Sequence, residues 1–393
     1  MSSIKKWFKM SAIFMVTSIS CFVSAQFWFD FVPVKQIVQN NPSIKYMQCV
    51  AKMPYEAAPF EIAPLVPNKI VFDELFILSI SQGRVQGKNG HILIGNKYIY
   101  ELFWADRPEF LNDVQPIADY QIIKVSGRVA VIAQELHHNY FHFIHEVLGR
   151  LALLEMQSIE YDWLYIAYDT PMIKKILSLW GIDPAKIISP IDNNYCVQAD
   201  ELIVPSLVLN TNVRFNHMGA LIHPKTMQYV QNKLVKNAIT KKLDTSFSSK
   251  VFISRKDSSG RGILNEDEIF KLFEPLGFVR YELSKMTLEQ QVLLFQNAEV
   301  VVGEHGAGFT NIVFCKPKTI VIELFQALVD TCFWWLSRAL NLQYFPIKTF
   351  DMDTSYVANW RHAEWKMYEA CSSNKHVPLD NIYPVIEMLK KNI

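Results

Sequence analysis

The chain has 393 residues, half of them hydrophobic and 13% aromatic, enough to build more than one small core, so two domains are expected. Its 39 basic and 38 acidic residues leave a formal charge of +1. That balance excludes a global basic excess and gives no reason to expect a nucleic-acid partner. No repeat of fixed period and no long low-complexity tract interrupts the pattern.

Taken in chain order, Lys5, Lys6 and Lys9 precede an uncharged run from 10 to 29. Its apolar heart, 10–23, falls short of the about 20 residues that a membrane span needs. Val23, Ser24 and Ala25 form an acceptable small-residue cleavage site. Residues 1–25 are therefore expected to export the chain to a luminal or external space or to anchor it at a membrane. Phe27, Trp28 and Phe29 favour the anchor, and a helix lying on the cytoplasmic face of the membrane is the alternative. Residues 26 to about 119 mix prolines with short alternating strands, such as 75–80 and 91–94. A strand–helix alternation then begins near Arg128. It predicts a strand at 128–132, a helix at 141–157, strands at 163–167 and 202–204, and helices at 172–180 and 222–243. The serine-rich stretch 244–250 reads as a linker. A second alternation runs over 251–348, and 379–391 reads as a closing helix after a loop that starts at 349. Six cysteines are widely spaced with no C-x-x-C pair, so neither a zinc site nor a redox motif is expected.

The second alternation carries the most informative motif. Val300 to Val302 reads as a buried strand, and Gly303, Gly306 and Gly308 allow a tight turn with close backbone approach. Thr310 and Asn311 then enter a helix. Free backbone N–H groups and a helix N-terminus at such a turn make an anion site, to which His305 can add. Alternating strands and helices predict a parallel sheet with its ligand at the carboxyl ends of the strands. Arg255, His305 and Glu323 fall at such ends. A cation there suits a diphosphate, and a carboxylate suits ribose hydroxyls. The spacing is neither the G-x-G-x-x-G of dinucleotide enzymes nor a Walker A loop.

In the first alternation, His138, His142 and Glu146 lie four apart and would share one helix face. The H-E-x-x-H order of zinc hydrolases is absent because position 139 is Asn, which could equally cap the helix. Asp351 and Asp353 form a D-x-D string, read here as a solvated turn.

These residues together resemble the inverting glycosyltransferases of family 61. The resemblance rests on Ser254 and Arg255, on Arg261 with Asn265 and Glu266, on Leu288, Glu289 and Gln290, on Gly303, His305, Gly306, Ala307 and Gly308, on Asn311, and on Ile322 with Glu323. A second patch from Asn139 to Glu146, with Leu148, Gly149, Arg150 and Leu151, resembles the family's N-terminal signature. Phe143 stands where the family usually has Trp or Leu, and Gly149 where it often has Pro. The resemblance implies an α/β protein of GT-B type, with two Rossmann-like domains facing across a cleft and the closing helix crossing back onto the first. The first would be acceptor-sided (26–243) and the second (251–348) would hold the nucleotide sugar. It implies transfer of a sugar from a nucleotide-sugar donor, such as a UDP-sugar, to a hydroxyl of a glycan or glycoprotein, with no metal required. Ser254, Arg255, Arg261, Asn265, Glu266, His305, Gly306, Ala307, Gly308, Asn311 and Glu323 would form the donor site, Glu323 at the ribose. His142 oriented by Glu146 would be the base, with Glu146, His138 and Glu304 as substitutes, and His138 and Asn139 would stand on the acceptor side. The cleft is expected to close on the donor. A non-catalytic nucleotide or glycan binder, or a sugar-nucleotide epimerase or hydrolase, remains the alternative.

Overall fold

A computed structural model describes residues 30–56, 69–94, 97–99, 102, 121–209, 222–243, 246–258, 260, 262–325, 331–349 and 375–392. Residues 1–25, Arg261, Asp351 and Asp353 lie outside them. Among the described residues no helix is long and apolar enough to cross a membrane.

The first half opens with β1 (Asp30–Val32), α1 (Val34–Asn40), β2 (Ile44–Val50), β3 (Met53–Glu56), β4 (Lys69–Phe72), β5 (Leu75–Ser81), β6 (Arg84–Gln86), β7 (His91–Ile94) and β8 (Lys97–Ile99). It continues with β9 (Ile123–Val131), the helix α2, β10 (Trp163–Tyr165), α3 (Pro171–Trp180), β11 (Ile187–Ile188), β12 (Cys196–Pro205) and α4 (Pro224–Ile239). Helix α2 consists of Tyr140–His142 and Leu148–Met156, joined through one π-helical turn, Phe143–Val147. The parallel order β12–β9–β10–β11 is the predicted alternation, and β5 and β6 add to β12 antiparallel.

The second half is wholly parallel, in the order β14–β13–β15–β16–β17. Its elements are β13 (Lys250–Ile253), α5 (Glu266–Phe273), β14 (Val279–Tyr281), α6 (Leu288–Asn297), β15 (Val300–Glu304), β16 (Ile320–Phe325), α7 (Cys332–Ala339), β17 (Gln343–Lys348) and α8 (Tyr383–Asn392). Thr287 and Gln290 start α6 with a reciprocal capping box.

Strand alternation divides each sheet between two cores. In β9, Val129 and Val131 face an outer core with Val34 and Ile37 of α1, while Ala130 faces inward. In β15, Val300 and Val302 face an outer core with α5, while Val301 faces inward. The two inward faces share one cluster with α2, α3, α4, α6 and α7, so the halves meet through a common helical layer. The closing helix was expected to cross onto the first half. Instead Ile382, just before α8, and Val385, Ile386 and Leu389 within it pack with Phe252 and Ile322 on the outer face of the second sheet.

Candidate active site between the two halves

The predicted donor turn follows β15. Arg255 leaves the end of β13 and lays its guanidinium directly on Gly306: a Cβ there would sit 1.7 Å from Nη1. Gly306 itself is extended (φ 160°, ψ 177°), so close approach and not strain demands glycine. The chain then enters a 3₁₀ helix, Ala307–Phe314. Arg255 Nη2 donates to Ser258 Oγ (2.9 Å) and to the Gly260 carbonyl (3.2 Å), and Nε lies 3.7 Å from Glu304 Oε2. Glu304 also accepts from the Ile263 N–H at 3.1 Å and is buried, and it lines the cleft described below.

Glu266 and Asn265 support this arrangement from below. Glu266 is buried and accepts from Ser254 Oγ (2.7 Å) and the Arg255 N–H (3.0 Å). Asn265 exchanges two bonds with the Val377 backbone (2.8 and 2.9 Å). Glu266 therefore holds the loop that aims Arg255, and Asn265 ties the start of α5 to the segment at Val377. Neither lines the cleft described below.

Two histidines are each backed by a buried carboxylate. His142 Nδ1 lies 2.5 Å from Glu146 Oε1, and Gln134 Nε2 donates to Glu146 Oε2 at 2.6 Å. His305 Nδ1 lies 2.5 Å from Glu323 Oε1, and Tyr344 Oη donates to Glu323 Oε2. Glu146 and Glu323 are both fully buried. An ionised carboxylate only accepts, so each fixes the Nδ1–H tautomer and leaves Nε2 as the basic nitrogen. Both oxygens of Glu323, expected at the ribose, bond here to His305 and Tyr344, so the carboxylate positions the histidine. The two dyads are linked by ring contacts, His142 with Phe141 (5.4 Å), Phe141 with Phe333 (5.6 Å) and Phe333 with His305 (5.3 Å).

His138 does not share the face of His142 and Glu146. It sits exposed in the turn before α2, edge-on to His137. Asn139 caps the helix by accepting from the Phe141 N–H at 2.9 Å. Among the described residues no group of three His, Cys, Asp or Glu side chains could hold a metal. Among the described residues, the thiols of Cys49, Cys196 and Cys315 form no disulfide.

A cleft of about 450 Å³ opens over the donor turn, walled by Arg255, Ala307, Gly308 and Asn311 of the second half and by Tyr140 and Lys175 of the first. Neither His142 nor His305 lines it. Tyr140 Oη donates to Asn311 Oδ1 at 2.7 Å, and Asn311 Nδ2 donates to the Gly308 carbonyl and to Gln291 Oε1, both at 3.1 Å. Asn311 is fully buried, so it ties the turn to α2. The sequence offered no signal for Gln134, Tyr344 or Phe333, which act through pairings distant along the chain. Arg150 was legible only as part of the N-terminal patch. It is fully buried, donates to the carbonyls of Ala133 (2.6 Å) and Pro205 (2.9 and 3.2 Å), and is pushed down to about 10 by burial.

Comparison with known proteins finds one family and relatives that share its activity by name. Residues 140–322 match the family model Glycosyltransferase 61. The chain is similar to the EGF domain-specific O-linked N-acetylglucosamine transferase of Mus musculus, 26% identical over 116 residues, which cover 27% of this chain and 22% of that protein. The Xenopus laevis protein of the same name is 27% identical over 143 residues, 35% of this chain and 27% of that one. The Drosophila melanogaster protein of that name is 26% identical over 98 residues, 24% and 18% of the two chains. The matched stretch thus spans 18% to 27% of the length of these relatives. The match runs from the first turn of α2 to β16, and over that stretch the chain is similar to glycosyltransferase family 61.

Proposed function

We propose that this protein is an inverting glycosyltransferase that moves a sugar from a nucleotide-sugar donor, such as a UDP-sugar, to a hydroxyl of a glycan or glycoprotein. The observation that carries the reading is the Arg255 guanidinium packed on Gly306 at the mouth of a cleft walled by both halves. In this reading the arrangement is GT-B in type: residues 26–243 present the acceptor, 251–348 hold the donor, and 244–250 join them. The donor diphosphate lies over the Gly306–Gly308 turn. Arg255 offsets the charge that develops on it as the bond to the sugar breaks, where stabilisation lowers the barrier.

The acceptor hydroxyl attacks the anomeric carbon from the face opposite the diphosphate. Its proton passes to His142 Nε2, while Glu146 holds the ring and stabilises the imidazolium. His305, held by Glu323, stands on the donor side. No divalent ion is needed in this scheme, because cationic side chains and backbone N–H groups meet the diphosphate. Activity should persist in excess EDTA; loss restored by manganese would reassign the diphosphate to a metal.

The direct test is incubation of the purified protein with a panel of sugar nucleotides, with and without an acceptor extract. Release of nucleotide only when acceptor is present supports transfer. Equal release without acceptor would make the protein a hydrolase, and binding with no release in either case would leave a nucleotide-binding protein.

A further inference from the structure

Lys175 stands on α3, in the half opposite the donor turn, and lines the same cleft as Arg255. Thr170 caps α3 by accepting from the Ile173 N–H at 3.2 Å. The buried face of the helix is Ile173, Ile176, Leu177, Leu179 and Trp180. Packing of that face against the common core leaves Lys175 exposed at the cleft. The adjacent Lys174 turns elsewhere, its Nζ 5.4 Å from the centre of the Tyr168 ring.

Charge balance shows what Lys175 is for. The ionisable Lys, Arg, Asp and Glu side chains lining the cleft are Lys175, Arg255, Asp257 and Glu304. The charge of Arg255 is already shared with the buried Glu304, 3.7 Å away. With Asp257 also at the rim, the described lining without Lys175 carries two carboxylates against one guanidinium. Among the described residues, to which Arg261 does not belong, a nucleoside diphosphate entering that lining would meet a deficit of positive charge. Lys175 corrects the deficit, and it does so from the other half of the molecule.

We propose that Lys175 is a second cation of the donor site, reaching across the cleft from α3 to the phosphate groups of a nucleoside diphosphate. The proposal rests on the donor-site reading above. The ammonium suits the position because it is a compact charge on a flexible stem, able to reach a phosphate oxygen without fixed geometry. Its contact joins the two walls only when ligand is present.

The test is calorimetric binding of UDP, UMP and uridine to the full chain and to Lys175→Gln, Lys175→Glu, Lys175→Arg and Arg255→Ala, at low and high salt. An exposed side chain on a well-capped helix should leave the melting temperature unchanged, and that is measured alongside. UDP affinity should fall about ten-fold in Lys175→Gln, the scale of one charge-assisted contact, and further in Lys175→Glu. Lys175→Arg should keep most of it, uridine should bind all four Lys175 forms alike, and the salt dependence of UDP binding should flatten in Lys175→Gln. Unchanged UDP affinity in the Gln and Glu variants, with Arg255→Ala weakened, would overturn the role of Lys175 and leave the donor site standing. Equal loss of UDP and uridine in Lys175→Gln would also overturn it, by showing a packing effect. UDP affinity unchanged in every variant, Arg255→Ala included, would remove the donor site itself.

Discussion

At the scale of single residues, Arg255 and Gly306 act as a pair. The guanidinium occupies the space that any side chain at 306 would need. Gly306→Ala should therefore displace Arg255 and mimic its loss. Both Gly306→Ala and Arg255→Ala are expected to weaken UDP binding by about 1.5–3 kcal/mol, the range of a hydrogen bond to a charged group. Titration calorimetry checks this, and native-like affinity in Gly306→Ala would refute the packing argument. His142→Gln should lower turnover about 10²–10⁴-fold, the usual contribution of a general base, while donor affinity stays the same. Near-normal turnover under donor saturation would remove His142 from the role. His145, one turn away, is a different kind of histidine. It is fully buried, with Nδ1 3.0 Å from Met227 Sδ, and burial together with the neighbouring His142 pushes it down to about 3 from 6.5. A histidine depressed in the fold favours the folded state in full above its unfolded value. Its contribution is then lost as the pH falls from 6.5 toward 3. Buried His223, held down to about 4 by burial and Lys225, adds to the same limb. Urea midpoints should thus drop between pH 7 and pH 5, and His145→Leu should flatten the drop.

At the scale of elements, α2 carries the link between the halves. Its π-helical turn, Phe143–Val147, is buried throughout and brings Glu146 under His142, where Gln134 completes the carboxylate's bonds. Such a turn is a frequent companion of functional sites. Three positions behind the dyad, Gly149 meets Val208: a Cβ there would lie 2.6 Å from Val208 Cγ2. Gly149→Ala should destabilise the fold by about 1–3 kcal/mol, the usual result of overpacking, despite alanine's better helix propensity. Thermal denaturation decides the sign; an increase in stability would show that α2 can shift at no cost. At the first turn of the same helix, Tyr140→Phe would leave Asn311 Oδ1 without its donor and should cost about 1 kcal/mol.

At the scale of the whole molecule, the two halves share an apolar core. Their inward sheet faces and the helices between them belong to one apolar cluster. Large hydrophobic contact between domains opposes free relative motion. A single cooperative thermal transition is therefore expected, and the fragment 30–243 alone should fail to fold, since it would expose the helical layer that α6 and α7 cover. Two well-separated calorimetric transitions would contradict this. Closure on donor, which the sequence led us to expect of the whole cleft, is then confined to side chains and loops at its rim, and ligand should change the radius of gyration little.

The sequence by itself determined the α/β class, the two alternating strand–helix series and the glycine-rich turn after β15, because these rest on local signals: β-branched runs, glycine spacing, caps and polar stretches. The anion-site reading needed only the order of Arg255, the glycines and Asn311. Tertiary structure alone decided what each buried carboxylate does. Glu323 lies at a strand end in the sequence, where ribose would be met, yet Tyr344 from the next strand and His305 claim both its oxygens. Glu304 is taken by Ile263 and Arg255 in the same way. The docking of α8 was equally beyond periodicity, which shows that a helix has an apolar face but not which sheet will cover it. Lys175 had no sequence signature at all. One exposed lysine on an amphipathic helix looks like any other until the packing of α3 sets it across from Arg255, because a charge acquires a function only from what the fold places opposite it.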